Sequence, residues 1–251
     1  MQAERIDIDS QVVGRPILGI YDFESSTDFA AFERDYVARH QPFYVTCKIP
    51  LERIAEVHAL EDHGFRLIEC QIRSRVRLNR PFDVSGFAGY RYEEVKDQEA
   101  LDVVLELAGT AFSHDRFTVD GGLGPELAGA RYRAYVRQSF QQPNEAVFRL
   151  VDCASGQTVA FRTHRYLGGD KVLLLLGGVR SELRDLGLGP ICAYYCFNDL
   201  LVRGIRYATT HISAANYPVF NLEIGRLGFR VLTTFAVMRK IYPSSSEGLR
   251  A

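Results

Sequence analysis

One run limits the fold more than any other stretch of this chain. Lys171 to Gly178 holds Val172, Leu173, Leu174, Leu175 and Leu176 in unbroken succession. A strand with no polar alternation is buried on both faces, so it belongs at the centre of a sheet covered by helices on both sides. The surrounding pattern agrees. Gly89 to Val95 predicts a strand. Gln98 to Ala111 predicts a helix with Leu101, Val104, Leu105 and Leu107 on its apolar face, and Pro125 to Phe140 a second helix. Strands follow at Glu145 to Asp152 and Thr158 to Tyr166, turned by Ser155-Gly156, and Gly168-Gly169-Asp170 leads into the apolar strand. A helix from Pro190 to about Val202, a strand from Tyr207, a helix and a last strand to Ile241 complete the order. This is an α/β (α+β) chain with a mixed central sheet flanked by helices.

Two segments repeat one plan. Tyr44 to Pro50 reads as a strand, Leu51, Ile54, Val57 and Leu60 as an amphipathic helix, then come Gly64-Phe65-Arg66 and a strand from Leu67 to Val76. Much later, Tyr207 to Ser213, a helical stretch, Gly228-Phe229-Arg230 and a strand from Val231 to Ile241 follow in the same order. Each glycine falls where a helix ends and positive φ is needed. A duplicated half-domain is the reading, with the Pro- and Gly-containing stretch Asn79 to Gly86 as a linker.

The chemistry lies after the apolar strand. Arg184-Asp185-Leu186-Gly187-Leu188-Gly189 opens the Pro190 helix. Glycines let a backbone approach a phosphate, and a helix start offers unpaired N–H groups and a positive dipole end. A tight strand-to-helix turn is the plainer alternative. The segment resembles the acyl-CoA loop of the GNAT superfamily, Arg/Gln-x-x-Gly-x-Gly/Ala. Arg184, Gly187 and Gly189 match it in register, with Val179 five residues before the arginine. Ala215-Asn216 followed by Leu227-Gly228-Phe229 resembles the family's second motif, and the resemblance spans roughly Gly89 to Tyr242.

That resemblance implies a GNAT fold over residues 87–251, preceded by a degenerate half-GNAT-like segment over residues 1–86. The N-terminal segment has no Gly-x-Gly loop, so its expected role is to complete the sheet, wall the acceptor cleft or form a homodimer contact. The implied activity is acyl-CoA-dependent N-acetyltransfer to a primary amine, with acetyl-CoA or another acyl-CoA as co-substrate and no metal. Gly178, Val179 and residues Arg184, Asp185, Leu186, Gly187, Leu188 and Gly189 would hold the donor. Asn216 would bond the pantetheine arm or merely cap its helix. Phe112 to Asp120 looks like the matching part of dTDP-fucosamine acetyltransferase and its relatives. This makes Asp115, Arg116 and Phe117 candidates for binding a nucleotide-linked amino sugar, against a helix cap and surface ion pair.

The resemblance breaks at the proton donor, a Tyr in the helix after the Asn. Counting forward from Asn216 places Glu223 there, and counting back from Gly228 places Ile224. Glu223 is a candidate acid if burial raises its pKa. Tyr217 and Tyr194 are candidates from other positions, and His211 is a candidate base near the end of its strand. His164 is a weaker candidate because Arg162 and Arg165 flank it. An acyltransferase on another small-molecule or carrier-linked acceptor, or a non-catalytic acyl-CoA-binding module, stays open.

Other classes are disfavoured. A net charge of −1 recruits no nucleic acid, and the alternating Arg73, Arg75 and Arg77 suit a solvated strand face. Five cysteines without a Cys-x-x-Cys pair suit reduced, mostly buried thiols in a cytoplasmic protein, and Cys192 and Cys196 lack the company a metal needs. No run is long and apolar enough to span a bilayer.

Overall fold

The computed structural model describes residues 1–112, 118, 120 and 123–242. Among the described residues ten strands form one mixed sheet. In chain order they are β1 (Gln2–Arg5), β2 (Ile17–Tyr21), β3 (Tyr44–Pro50), β4 (Arg66–Arg77), β5 (Tyr90–Glu94), β6 (Glu145–Asp152), β7 (Thr158–Tyr166), β8 (Lys171–Val179), β9 (Tyr207–Ser213) and β10 (Arg230–Ile241). The helices are α1 (Asp7–Val13), α2 (Phe29–Phe32), α3 (Ala38–His40), α4 (Ile54–Asp62), α5 (Gln98–Thr110), α6 (Pro125–Gln141), α7 (Leu188–Val202) and α8 (Tyr217–Asn221). A π turn at Glu33–Val37 joins α2 to α3, and a second at Leu222–Arg226 extends α8.

Across the sheet the order is β1-β2-β3-β10-β4-β9-β8-β7-β6-β5. The repeat read from the sequence explains its middle. The second strands of the two copies, β4 and β10, pair with each other antiparallel, and each also pairs with the first strand of the other copy. The register is symmetric: Arg66 of one Gly-Phe-Arg opposes Arg239, and Arg230 of the other opposes Arg75. Parallel β2 and β3 mirror parallel β8 and β9. The strands before and after the Asn79 to Gly86 stretch therefore share one sheet, with β4 set between β9 and β10.

Both repeat glycines do what their position demands. Gly64 has φ +82° and Gly228 has φ +74°, the left-handed turn that stops a helix cheaply only at glycine. The phenylalanines behind them drop into separate cores, Phe65 among Leu18, Val45, Phe29 and Leu60, and Phe229 among Phe197, Leu200 and Ala208. Helices α5 and α6 cover one face of the C-terminal half through Leu101, Val104, Val136 and Phe161. Helix α7 covers the other through Ala160, Leu188, Ile191 and Cys192.

Strand β8 lies inside the sheet but is not buried on both faces: Val172 and Leu174 are buried, while Leu173, Leu175 and Leu176 are half-buried, and the strand carries a bulge. Thr163 opposes Leu176 while His164 opposes Leu174, so Leu175 is the extra residue. A bulge reverses the alternation of the strand. Before it, Val172 and Leu174 face α7; after it, Gly178 faces Ala111 and Leu107 of the α5 side, and Gly177 faces Arg162. Arg73, Arg75 and Arg77 form an exposed face of β4, and among the described residues no helix is long and apolar enough to cross a membrane.

Candidate active site

Parallel β8 and β9 pair over three positions only, ending at Leu173 opposite Thr209. Beyond that point they diverge. A cavity of about 970 Å³ occupies the opening and reaches both faces of the sheet. From Leu174 to Val179 the edge of β8 lines it, as do Thr210 to Ser213 of β9. Strand edges offer backbone N–H and C=O groups in series, a ladder for an extended ligand.

At one end of this edge stands the N-terminus of α7. The chain leaves β8, makes a 3₁₀ turn at Ser181–Leu186 and enters the helix through Gly187 at φ +72°. The helix begins at Leu188, two residues before the expected Pro190, so Leu188, Gly189 and Ile191 bring orphan N–H groups and the proline brings none. Gly189 and Pro190 line the cavity. Leu188 is buried in the α7 core and contributes backbone only, while the Leu186 side chain is exposed. Arg184 and Asp185 lie in the 3₁₀ turn.

Val179 and Gly178 line the cavity too, but Gly178 has a second reason to be glycine. A Cβ there would stand 2.6 Å from the Ala111 Cβ and 2.8 Å from the Phe161 ring. Close packing of α5 on the sheet demands it.

The far wall carries Glu223, only 4% exposed. The two counts for the missing Tyr disagree because this helix has one residue more than its repeat partner, and the π turn absorbs it. Phe65 N–H donates to the Leu60 carbonyl, five residues back; Phe229 N–H donates to the Glu223 carbonyl, six back. Glu223 thus occupies the place of Leu60, a fully buried core residue of the N-terminal half, while Ile224 packs among the apolar residues around Phe197. Burial pushes the Glu223 carboxyl up to about 7, against the opposing pull of Arg162 and a hydrogen bond from Ser74 Oγ at 3.3 Å. Ser74 comes from β4, so the N-terminal segment holds this carboxyl in place.

His211 lines the cavity at a solvent-reached rim, with its ring toward Phe235. The enclosing chain, then Lys48 and Arg73, push its pKa down to about 4, so the imidazole is neutral over the physiological range. Asn216 lines the cavity and also caps α8, its Oδ1 accepting from Val219 N–H at 3.4 Å. The structure does not bring Tyr217 in: it is 69% exposed, and Pro218 and Val219 line the cavity in its stead. Tyr194 stacks on Phe82, and His164 is buried against Phe148 and Tyr166. Asp115, Arg116 and Phe117 lie outside the described residues.

Several lining residues were not singled out in the sequence. The α6 mouth holds Arg131, paired with Asp9 at 2.7 Å, and Glu145, which accepts from Ser139 and pairs with Arg165 at 2.6 Å. Lys48, Glu69 and Gln71 of the N-terminal half close the same side. Cys192 borders the cavity, but burial pushes its thiol up to about 12, which leaves no thiolate for nucleophilic attack. No group of three or more metal-ligating side chains occurs among the described residues.

A mixed sheet whose central parallel strands splay, with a glycine-opened helix at the splay, defines the class: the chain has the GNAT fold. No protein-family model and no curated protein sequence matches it. Solved structures do. A GCN5-related N-acetyltransferase from Sphaerobacter thermophilus is 15% identical, with a TM-score of 0.69 over 95% of this chain and 76% of its own. A tandem GNAT protein from the clavulanic acid biosynthesis pathway is 15% identical, with a TM-score of 0.61 over 92% and 77%. A GCN5-related N-acetyltransferase from Kribbella flavida is 16% identical, with a TM-score of 0.61 over 92% and 83%. These likenesses span both halves of the chain.

Proposed function

We propose that this protein is an acyl-CoA-dependent N-acyltransferase that acts on the primary amine of a polar small molecule. One observation carries the reading: the cavity passes through the sheet where β8 and β9 part, with a helix N-terminus at one end and a buried carboxyl in its wall. The pyrophosphate of the donor is assigned to the α7 N-terminus, through Gly187, Leu188 and Gly189, and its pantetheine arm to the free edge of β8 and to Asn216. The acceptor enters on the α6 side. The polar residues there, Ser139, Glu145, Arg165 and Lys48, favour a hydroxylated or charged acceptor over a long acyl chain. An amino sugar, free or nucleotide-linked, is the first acceptor to try.

The chemistry is direct transfer. The amine nitrogen attacks the thioester carbonyl, the new C–N bond forms and the C–S bond breaks. Neutral His211 takes a proton from the attacking nitrogen, and backbone N–H groups of the open edge of β8 would donate to the developing oxyanion. Protonated Glu223 gives its proton to the departing thiolate, in the role of the absent phenol. Solvent exchange then returns the proton from His211 to Glu223.

Incubation of the purified chain with acetyl-CoA and a panel of amino sugars and their nucleotide conjugates tests the reading, with a thiol reagent to follow CoA. Amine-dependent release of CoA is expected. Tight CoA binding with no release for any amine would favour a binding module.

A further inference from the structure

Arg162 is a charged side chain of the cavity wall that has no task in this scheme. Arg162 leaves β7 on the α7 side of the sheet, the side of its strand neighbour Ala160 and of Cys192. Its stem lies over Gly177, where an added Cβ would stand 3.4 Å from the Arg162 Cγ. The glycine leaves room for the arginine to cross β8. The guanidinium shares its electrostatic surroundings with Cys196, Cys192, the Tyr92 phenol and Glu223.

Of the other arginines that line the cavity, Arg131 pairs with Asp9 and Arg165 with Glu145, while Arg226 is exposed to solvent. Among the described residues no carboxylate lies within ion-pairing distance of Arg162. Burial keeps the two thiols protonated, so they supply no negative charge. Arg162 is half-buried in the cavity wall, and a partly desolvated cation without an ion-pair partner gains from an anion that reaches it. An anion from outside would complete the arrangement.

The donor's phosphates are not that anion if they sit at the start of α7. A pantetheine arm that leaves that helix and runs down β8 passes Val179 and brings its thioester toward Gly177, Arg162 and Glu223. The group beyond the thioester is the acyl chain. Resting on the acyl-CoA reading, we propose that Arg162 recognises a carboxylate at the far end of the transferred acyl group, so that the donor is the CoA thioester of a dicarboxylic acid, of the malonyl or succinyl class. A planar guanidinium can hold such a carboxylate with two parallel hydrogen bonds. The distal carboxylate takes no part in the transfer and leaves on the amide. Its approach also favours the protonated form of Glu223, the form the acid step uses.

The test is a binding titration of the full chain with CoA, acetyl-CoA and succinyl-CoA, repeated with Arg162→Met and Arg162→Lys. The readout is the ratio of the affinities for succinyl-CoA and acetyl-CoA. The native protein is expected to prefer succinyl-CoA by about tenfold or more, the size of one charge-assisted contact. Arg162→Met should bring the ratio near one, with Arg162→Lys in between, and circular dichroism checks that each variant folds. A native ratio of one or less overturns the proposal whether or not the variants fold, and so does a preference that survives Arg162→Met. If CoA and acetyl-CoA bind without preference for succinyl-CoA, only this proposal fails. If no CoA species binds, the acyl-CoA reading fails with it.

Discussion

Glu223→Gln should make the protein more stable and less active, and the gain should depend on pH. The carboxyl has an ordinary value of 4.5 and is raised to about 7 in the fold. Unfolded chains give up this proton near 4.5, while the folded protein holds it until about 7. Stability is therefore lost as pH rises across that window. Fully ionised, the buried carboxylate costs the folded state about 3 kcal/mol. Glutamine keeps the shape and can still accept from Ser74, but it never ionises. Urea unfolding of both proteins should show the variant ahead by up to about 3 kcal/mol near pH 8.5, and by less than about 1 kcal/mol near pH 5. On the proposed mechanism its turnover falls by about 10²-fold or more, because the thiolate leaves without a proton. An equal stability gap at both pH values, or a less stable variant near pH 8.5, would refute the buried-acid argument.

Three further outcomes follow from the geometry. Ser74→Ala removes a hydrogen bond that favours the ionised form of Glu223, so the high-pH limb of the pH–rate profile should move upward from about 7. Gly178→Ala places a methyl 2.6 Å from the Ala111 Cβ and should cost about 1–3 kcal/mol in thermal or urea unfolding. Asp9→Ala removes the carboxylate that pairs with Arg131, whose side chain is 13% exposed, and should cost about 3–5 kcal/mol by urea unfolding.

Much of the frame was legible because it is local. An apolar run such as Val172 to Leu176 has one place in a sheet, and a glycine after an amphipathic helix has one cheap conformation, so Gly64 and Gly228 could be read directly. The order of elements from Gly89 onward follows from the same periodicities. Strand partners are not local. Nothing near Leu67 to Val76 says that this strand will lie between β9 and β10, though the repeat held the symmetry from which it follows. The bulge at Leu175 is invisible in a row of four leucines, and with it the face to which Gly177 turns. Arg162 reads as one more charge on a hairpin strand until the packing shows which side of the sheet it occupies. The two counts reach Glu223 and Ile224 because the extra residue of the helix has no sequence mark, and the π turn at Leu222–Arg226 is where the fold absorbs it. Tyr217 offers a phenol in the sequence, yet at the first turn of α8 it is exposed to solvent.

The interleaved centre of the sheet also sets a timetable. β10, residues 230–241, follows every other strand in the chain but lies between β3 and β4. Until it emerges from the ribosome, both neighbours present an open edge, and the N-terminal half waits for a partner far away in sequence. Such separation predicts slow folding with an interval of exposed edges. A premature stop before Arg230 would do more than trim the end. It would leave a gap in the middle of the sheet, with two unsatisfied edges facing it, and would yield a product prone to aggregate.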